Sequence, residues 1–282
     1  MRNLQEFRRR IRAVKDLIQV TKAMKTVSAA RLRRTQNKVV NYKPYAERIK
    51  IMLSELAYAI PHAHRLFQPT EEKKPLLLVI SSDKGLCGPF NYNVVRKALD
   101  FLRSREGVRL AVIGRKGREG LKRVYKIEKS ITNIFQKLNF SHAKEITDYL
   151  LSGYYSGDWD SVFVLYTQFF SVGRYYPTVE RFIPIPPFKE GAPQEFIFEP
   201  GLEEVVDGLM QHYIELEIWR ILLESSTAEH AARMIAMDQA TRNAQDMVRS
   251  LTLQMNKLRQ EKITKELLDI VTAIEAMKKS QI

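Results

Sequence analysis

After Pro200 the chain contains no further proline, and after Gly201 its only glycine is Gly208. A breaker-free run of about 80 residues can form a single helix of about 120 Å at 1.5 Å per residue. One ordinary domain cannot cover a helix of that length, so the segment reads as a coiled coil, a shaft or a spacer. Its apolar positions decide between these. Met234, Met237, Thr241, Ala244, Val248, Leu251, Met255 and Leu258 step by alternating threes and fours, which is a heptad seam. The seam then jumps to Ile263 and resumes as Leu267, Ile270, Ile274 and Met277. A broken heptad swings the apolar stripe round the helix. The helix should therefore change its surroundings near residues 258–261 (LRQE).

A second long helix is expected at the other end, over residues 2 to about 60, stopped by Pro61. Leu4, Phe7, Ile11 and Val14 begin a seam, which then slips to Leu17, Val20, Met24 and Val27, a three-residue stammer. Pro44 removes one internal hydrogen bond and should kink or interrupt the helix near Tyr42. Charge is concentrated here. Residues 1–50 hold fifteen Lys/Arg against three acidic residues, an excess of twelve in a chain whose net charge is +14. Residues 202–282 hold ten basic and thirteen acidic groups. A basic stripe that includes Arg8, Arg9, Arg10 and Arg12 seeks a polyanion: nucleic acid, an anionic membrane, or acidic protein loops.

Between the helices the period changes. Residues 76–80 (LLLVI) form a continuous apolar run of strand length, followed by a glycine-containing turn at 81–91 and a helix over about 91–105. Further strands are expected at 110–113 (LAVI) and 162–166 (VFVLY), with a helix over 141–156 and a proline-flanked edge strand over 179–185. This alternation implies a Rossmann-like, mostly parallel α/β domain over about 75–190, inserted between long N- and C-terminal helices that form an antiparallel coiled coil. Neither G-x-G-x-x-G after the first strand nor G-x-x-x-x-G-K-[ST] is present, so no nucleotide cofactor is expected. Gly114, Gly117 and Gly120 read as a strand-to-helix turn. Cys87, the single cysteine, has no histidine close in sequence and reads as structural, and it excludes an internal disulfide. His62 and His64 lack a third ligand nearby and read as a loop rather than a metal site. No run approaches the length of a membrane span, and MRNLQEFRRR lacks the apolar segment of a signal peptide.

If the two helices run antiparallel from a common base, about 58 residues face about 80, leaving about 20 residues, or about 30 Å, of the last helix uncovered. Counted back from Ile282, that overhang begins near residue 260, where the seam also breaks. Ile263, Leu267, Ile270, Ile274 and Met277 should then form a bare apolar tip that needs a socket. The resulting division is 1–60 with 202–282 as a shaft, 75–190 as a globular domain, and 191–201 as a connecting loop.

Several stretches resemble the gamma subunit of rotary F-type proton ATP synthases: residues 18–25 (IQVTKAMK), 28–34 (SAARLRR), 82–88 (SDKGLCG) with Phe90 and Asn91, 229–238 (EHAARMIAMD), 251–254 (LTLQ), Arg259 with Gln260, and 263–266 (ITKE). The matches run in order along essentially the whole chain. The resemblance implies a central rotor shaft without a catalytic site of its own, turning inside three alpha and three beta subunits. It implies a foot, the loop 191–201, that binds the epsilon subunit and the membrane ring of c subunits. Lys22, Met24, Lys25, Arg259 and Gln260 match positions that contact beta, and Phe198 and Glu199 match the foot. The acidic loops of beta would then be the partner of the basic helix, with Arg8, Arg9, Arg10 and Arg12 assigned to that contact on charge. Ala273 and Ile274 stand where the family usually has Gly-Ala, and the lone Cys87 leaves no dithiol for a redox switch. No cofactor or metal is implied, and membrane association would come through the complex. Without a presequence, the expected location is the cytoplasmic face of a bacterial inner membrane, as a peripheral subunit. The rival from charge alone is a basic coiled coil that binds nucleic acid.

Overall fold

The computed structural model describes residues 2–56, 65–67, 70–185, 199 and 201–279. The chain divides into two compact units, residues 28–234 and a smaller one built from residues 1–27 with 235–282. Two long helices contribute to both, α1 (Arg2–Leu56) and α5 (Leu202–Lys279). They contain 55 and 78 residues, close to the lengths that the breaker pattern sets.

The larger unit is organised on a five-stranded sheet of β1 (Pro75–Ile80), β2 (Arg109–Ile113), β3 (Lys129–Ile131), β4 (Ser161–Ser171) and β5 (Arg174–Ile183). Their spatial order is β3-β2-β1-β4-β5, with β5 the antiparallel edge strand. The neighbours β1–β2, β1–β4 and β2–β3 are parallel. The helices α2 (Phe90–Arg103), α3 (Arg115–Leu121) and α4 (Phe140–Ser156) connect them. Every residue of β1 is buried, which explains its unbroken apolar run: a central parallel strand is covered on both faces. Alternate residues serve two cores. Leu76, Leu78 and Ile80 join α4 and α5, whereas Leu77 and Val79 join Val94, Ala98 and Leu102 of α2.

The turn after β2 is set by close approach. Gly114 sits at φ 96°, and a Cβ there would lie 2.4 Å from the Ser81 carbonyl oxygen. A Cβ on Gly117 would lie 2.5 Å from Ser81 Oγ, which accepts the Gly117 N–H at 2.8 Å. Gly114 and Gly117 thus let α3 settle on the end of β1, as the turn reading expects, while Gly120 lets it approach Val95 of α2.

Of the two outcomes expected at Pro44, interruption does not occur: the helix runs through it. The turn around it is pinned instead: Tyr42 donates to the Leu216 carbonyl at 2.7 Å, and Tyr45 Oη meets His212 Nε2 at 2.7 Å. The stammer is also absent where it was expected. Leu17, Val20 and Val27 are about half exposed, at 51%, 55% and 52%. Met24 turns inward as expected, but its companions on the covered face are Ile18, Thr21 and Ser28. Small hydroxyl side chains occupy seam positions there, so hydrophobicity alone pointed to the wrong face.

Gly114→Ala should lower the unfolding free energy by about 2 kcal/mol or more, through left-handed backbone strain and the clash with Ser81. Gly173→Ala, with nothing within 4 Å of its Cβ, should change it by less than about 0.5 kcal/mol. Urea titration of the two variants checks the contrast.

Candidate functional site

In the smaller unit, α1 and α5 pair in opposite directions. Thr21 of α1 meets Thr241 of α5 with their hydroxyl oxygens 2.8 Å apart, and Lys25 meets Asp238 with Nζ 2.6 Å from Oδ1. Thr21 donates back to the Ile18 carbonyl of its own helix, which leaves its oxygen to accept from Thr241; the Thr241 oxygen also lies 2.8 Å from the Met237 carbonyl. Met237, Thr241 and Ala244 are buried, and Val248, Leu251, Met255 and Leu258 are half-buried, which is the seam read from the 3–4 spacing.

Beyond Leu258 the cover ends. Every residue from 259 to 274 is exposed. Ile263, Leu267, Ile270 and Ile274 are 48–58% exposed, and Leu268 and Val271 widen the stripe. Those two were not in the sequence reading. They follow Leu267 and Ile270 by one residue, and a stripe two residues wide at each turn was the available signal. Met277 lies within α5, but its side chain is outside the described residues. Phe198, His62 and His64 also lie outside them, and Glu199 is exposed.

The basic groups of α1 face solvent. Arg8, Arg9, Arg12 and Lys22 are exposed, and Arg10 is paired with Glu6 at 2.6 Å. Met24 is half-buried. Lys25 is drawn into an internal contact, because Asp238 holds both it and Arg242. Hydrogen bonds from Lys25 and Arg242 pull the Asp238 carboxyl below its ordinary pKa. Arg259 and Gln260 stand exposed on the first turn past the seam.

The larger unit closes the place where an open α/β sheet would hold a ligand, the crevice outside the carboxyl ends of the strands at which the order reverses. Here those strands are β1 and β4. Cys87 and Phe90, just after β1, pack with Phe169 and Tyr175 of the β4–β5 hairpin against Ala228 and Ala232 of α5. Arg233 of α5 donates to the Lys84 and Gly85 carbonyls at 3.1–3.3 Å and to Glu229 at 2.6 Å. The crevice is filled by the chain's own helix. Burial pushes the Cys87 thiol up, which disfavours the thiolate that a nucleophile needs. Glu229 and Arg233 carried no role in the sequence reading. A charged i, i+4 pair set among alanines in the segment 229–233 (EHAAR) was the signal for a tightly covered helix face. Among the described residues no group of His, Cys, Asp and Glu is arranged to hold a metal ion, and no helix is long and apolar enough to cross a membrane.

A paired-helix tip and a sheet with a filled crevice invite comparison with known proteins. The family model described as ATP synthase matches residues 3–277. The ATP synthase gamma chain of Pelotomaculum thermopropionicum is 41% identical over 98% of this chain and all of its own length. The chain belongs to the ATP synthase gamma chain family. The gamma chain of an Anaeromyxobacter species is 40% identical over 99% of this chain and all of the relative. A chain of the Tetrahymena thermophila mitochondrial ATP synthase central stalk and c-ring structure superposes with a TM-score of 0.63 at 29% identity, over 78% of this chain and 99% of that one. A chain from the Euglena gracilis mitochondrial enzyme shares the fold, with a TM-score of 0.71 at 20% identity over 97% of this chain and 94% of its own. Family membership decides against the nucleic-acid reading of the basic helix.

His230 gives the larger unit a pH dependence. It is 5% exposed and its Nδ1 has no hydrogen-bond partner. Burial, then the cations Arg233 and Arg31, lower its pKa to about 4. The adjacent carboxylate Glu229, which is paired with Arg233, is itself pushed up by burial. A folded pKa below the unfolded value of about 6.5 means that the neutral ring is stabilised by folding. That stability is present above pH 6.5 and is lost as pH falls toward 4, by up to about 3 kcal/mol. In chemical melts across this range, His230→Leu should flatten the decline relative to the unsubstituted chain.

Proposed function

We propose that the exposed end of α5 is how this chain performs its role as the central rotor shaft of ATP synthase, with the tip seated in a sleeve of three alpha and three beta subunits. The observation that carries this is the bare stripe of Ile263, Leu267, Leu268, Ile270, Val271 and Ile274, which begins where the pairing with α1 ends. An apolar face of that extent calls for a socket. By its spacing in the sequence, Met277 belongs to the same proposed tip.

The cationic face of α1 meets the acidic loops of beta in this reading, through Arg8, Arg9, Arg10, Arg12, Lys22 and Lys25 beside Met24. Arg259 and Gln260 reach a beta loop at the point where the helix emerges from its pairing. The segment with Phe198 and Glu199 acts as the foot on the epsilon subunit and the ring of c subunits. The chain supplies no catalytic groups. It alters the sites of its neighbours, since a partner's equilibrium shifts only through contacts that differ between its states. A helix pair that is basic on α1 and weakly acidic along α5 presents a different face to each beta subunit at each angle. Turning it therefore changes nucleotide affinity at three sites in succession. The chain is held at the membrane through the complex, as a peripheral subunit on the cytoplasmic face of a bacterial inner membrane.

Purification of the tagged chain from its source membranes tests the reading. Alpha and beta should co-elute in roughly threefold excess, with ATPase activity, and a chain that elutes alone overturns it. Arg259→Ala with Gln260→Ala should leave that assembly intact and lower ATP turnover by on the order of fivefold, the size of a modest coupling energy. Unchanged turnover removes the pair from the coupling contact. Replacing Ile263, Leu267 and Ile270 together by serine should reduce the alpha and beta recovered with the chain.

A further inference from the structure

Two kinds of contact hold α5 to the sheet. Val206, Met210, Ile214, Ile218, Ile221 and Leu222 belong to the main apolar core. Such packing resists separation, but it is non-directional and sets no sharp preference for one angle of the helix about its axis. The Arg233 guanidinium is different. It makes directional hydrogen bonds to two consecutive carbonyls, Lys84 and Gly85, while Glu229 one turn earlier holds it in place. Its side chain is 8% exposed and that of Glu229 is 6% exposed.

The loop that receives Arg233 is itself fixed. The buried Asp83 carboxylate accepts the backbone N–H of Arg115 at 3.1 Å, of Asn133 at 2.8 Å and of Phe135 at 3.3 Å. The Asp83 carbonyl accepts two further bonds from the Arg115 side chain. Ser82 accepts the Lys116 N–H through its carbonyl, and its own N–H donates to Asn91 at the start of α2. The loop therefore cannot slide without breaking bonds to α2, α3 and the segment after β3. Arg220 offers another directional link, to Tyr166 at 3.3 Å and Glu180 at 3.6 Å, but its side chain is 28% exposed and the geometry is looser.

We propose that the Glu229–Arg233 pair and the loop at residues 82–87 form a torsional clamp, which keys α5 to the sheet so that turning force applied to one leaves through the other. Arg233 is a positioning residue in this scheme and touches neither nucleotide nor ion. Its place suits the task, because it lies one residue before Met234, the last residue of the larger unit. A buried ion pair adds little net stability over an apolar pair of similar volume. What it does provide is a single angular setting. The clamp rests on the rotor reading, since only a chain that transmits rotation needs its helix keyed in angle.

The double variant Glu229→Leu with Arg233→Met separates this role from mere folding, because apolar replacement of a buried pair keeps the packing while it removes the directional bonds. Purified with its complex and reconstituted in vesicles, it should hydrolyse ATP near the unsubstituted rate. Its ATP-driven ion pumping against an opposing potential should fall at least about fivefold. A double variant that assembles and pumps at the normal ratio of ions to ATP overturns the clamp and leaves the rotor reading intact. If the double variant does not assemble, Arg233→Lys carries the test. It keeps the charge beside Glu229 but loses the forked reach to both carbonyls, so reduced pumping supports the clamp and normal pumping overturns it. Failure of the unsubstituted chain to co-purify with alpha and beta is a separate outcome, which overturns the rotor reading and the clamp together.

Discussion

An apolar stripe on a helix is stable in water only as far as something covers it, and the distribution of cover governs this molecule. In the smaller unit α1 covers α5 as far as Leu258. From there to Ile274 the same helix continues with its apolar side chains in solvent. The pairing shields the apolar seam between the two helices, while the uncovered part is the surface proposed above to seat in a sleeve. Assembly and exposure are thus two consequences of one length difference, 55 residues against 78.

The larger unit handles cover in another way. A sheet of order 3-2-1-4 ordinarily leaves an open crevice beyond the carboxyl ends of its central strands, and many folds of this kind use it for nucleotides. Here Ala228, Ala232 and Arg233 occupy that position. Two small side chains allow α5 to approach the loop closely, and a guanidinium then satisfies carbonyls that would otherwise face a ligand or water. The loop motif survives as a socket for a helix. This explains how a Rossmann-like topology can serve as a rigid base, since fold alone does not specify chemistry.

Much of this was legible in the residues, for identifiable reasons. The seam from Met234 to Leu258 and its end were readable because the C-terminal helix uses large apolar residues at nearly every covered position. The central strands β1, β2 and β4 were readable because they are largely buried on both faces, whereas β3, three residues long and mostly exposed, was missed. The boundary of β5 was not readable either, because Tyr175, Tyr176 and Pro177 extend the edge strand through residues that resemble a loop. On α1 the reading failed between Leu17 and Val27, where the covered face carries Thr21 and Ser28 while Leu17, Val20 and Val27 face outward. Pattern alone cannot detect a seam whose polar members are satisfied by their own backbone. The internal pairing of Lys25 with Asp238 was equally hidden, because it joins residues 213 positions apart.

Those polar seam members also fix how far the helices overlap. A regular heptad seam fits nearly as well after a slip of seven residues, so apolar spacing by itself leaves the register degenerate. Thr21 faces Thr241 and Lys25 faces Asp238. A slip of one heptad would set Thr21 near Met234 or Val248 and Lys25 near Ala231 or Gln245, removing the hydroxyl contact and the carboxylate together. The hydrogen bond alone is worth about 1 kcal/mol. The same slip would move the end of the covered region by about 10 Å along α5, either burying part of the stripe that begins at Ile263 or exposing Leu251 and Met255 beside it. Two polar contacts inside the pair therefore determine how much of the tip stays bare, and with it the length of shaft that a surrounding sleeve can hold.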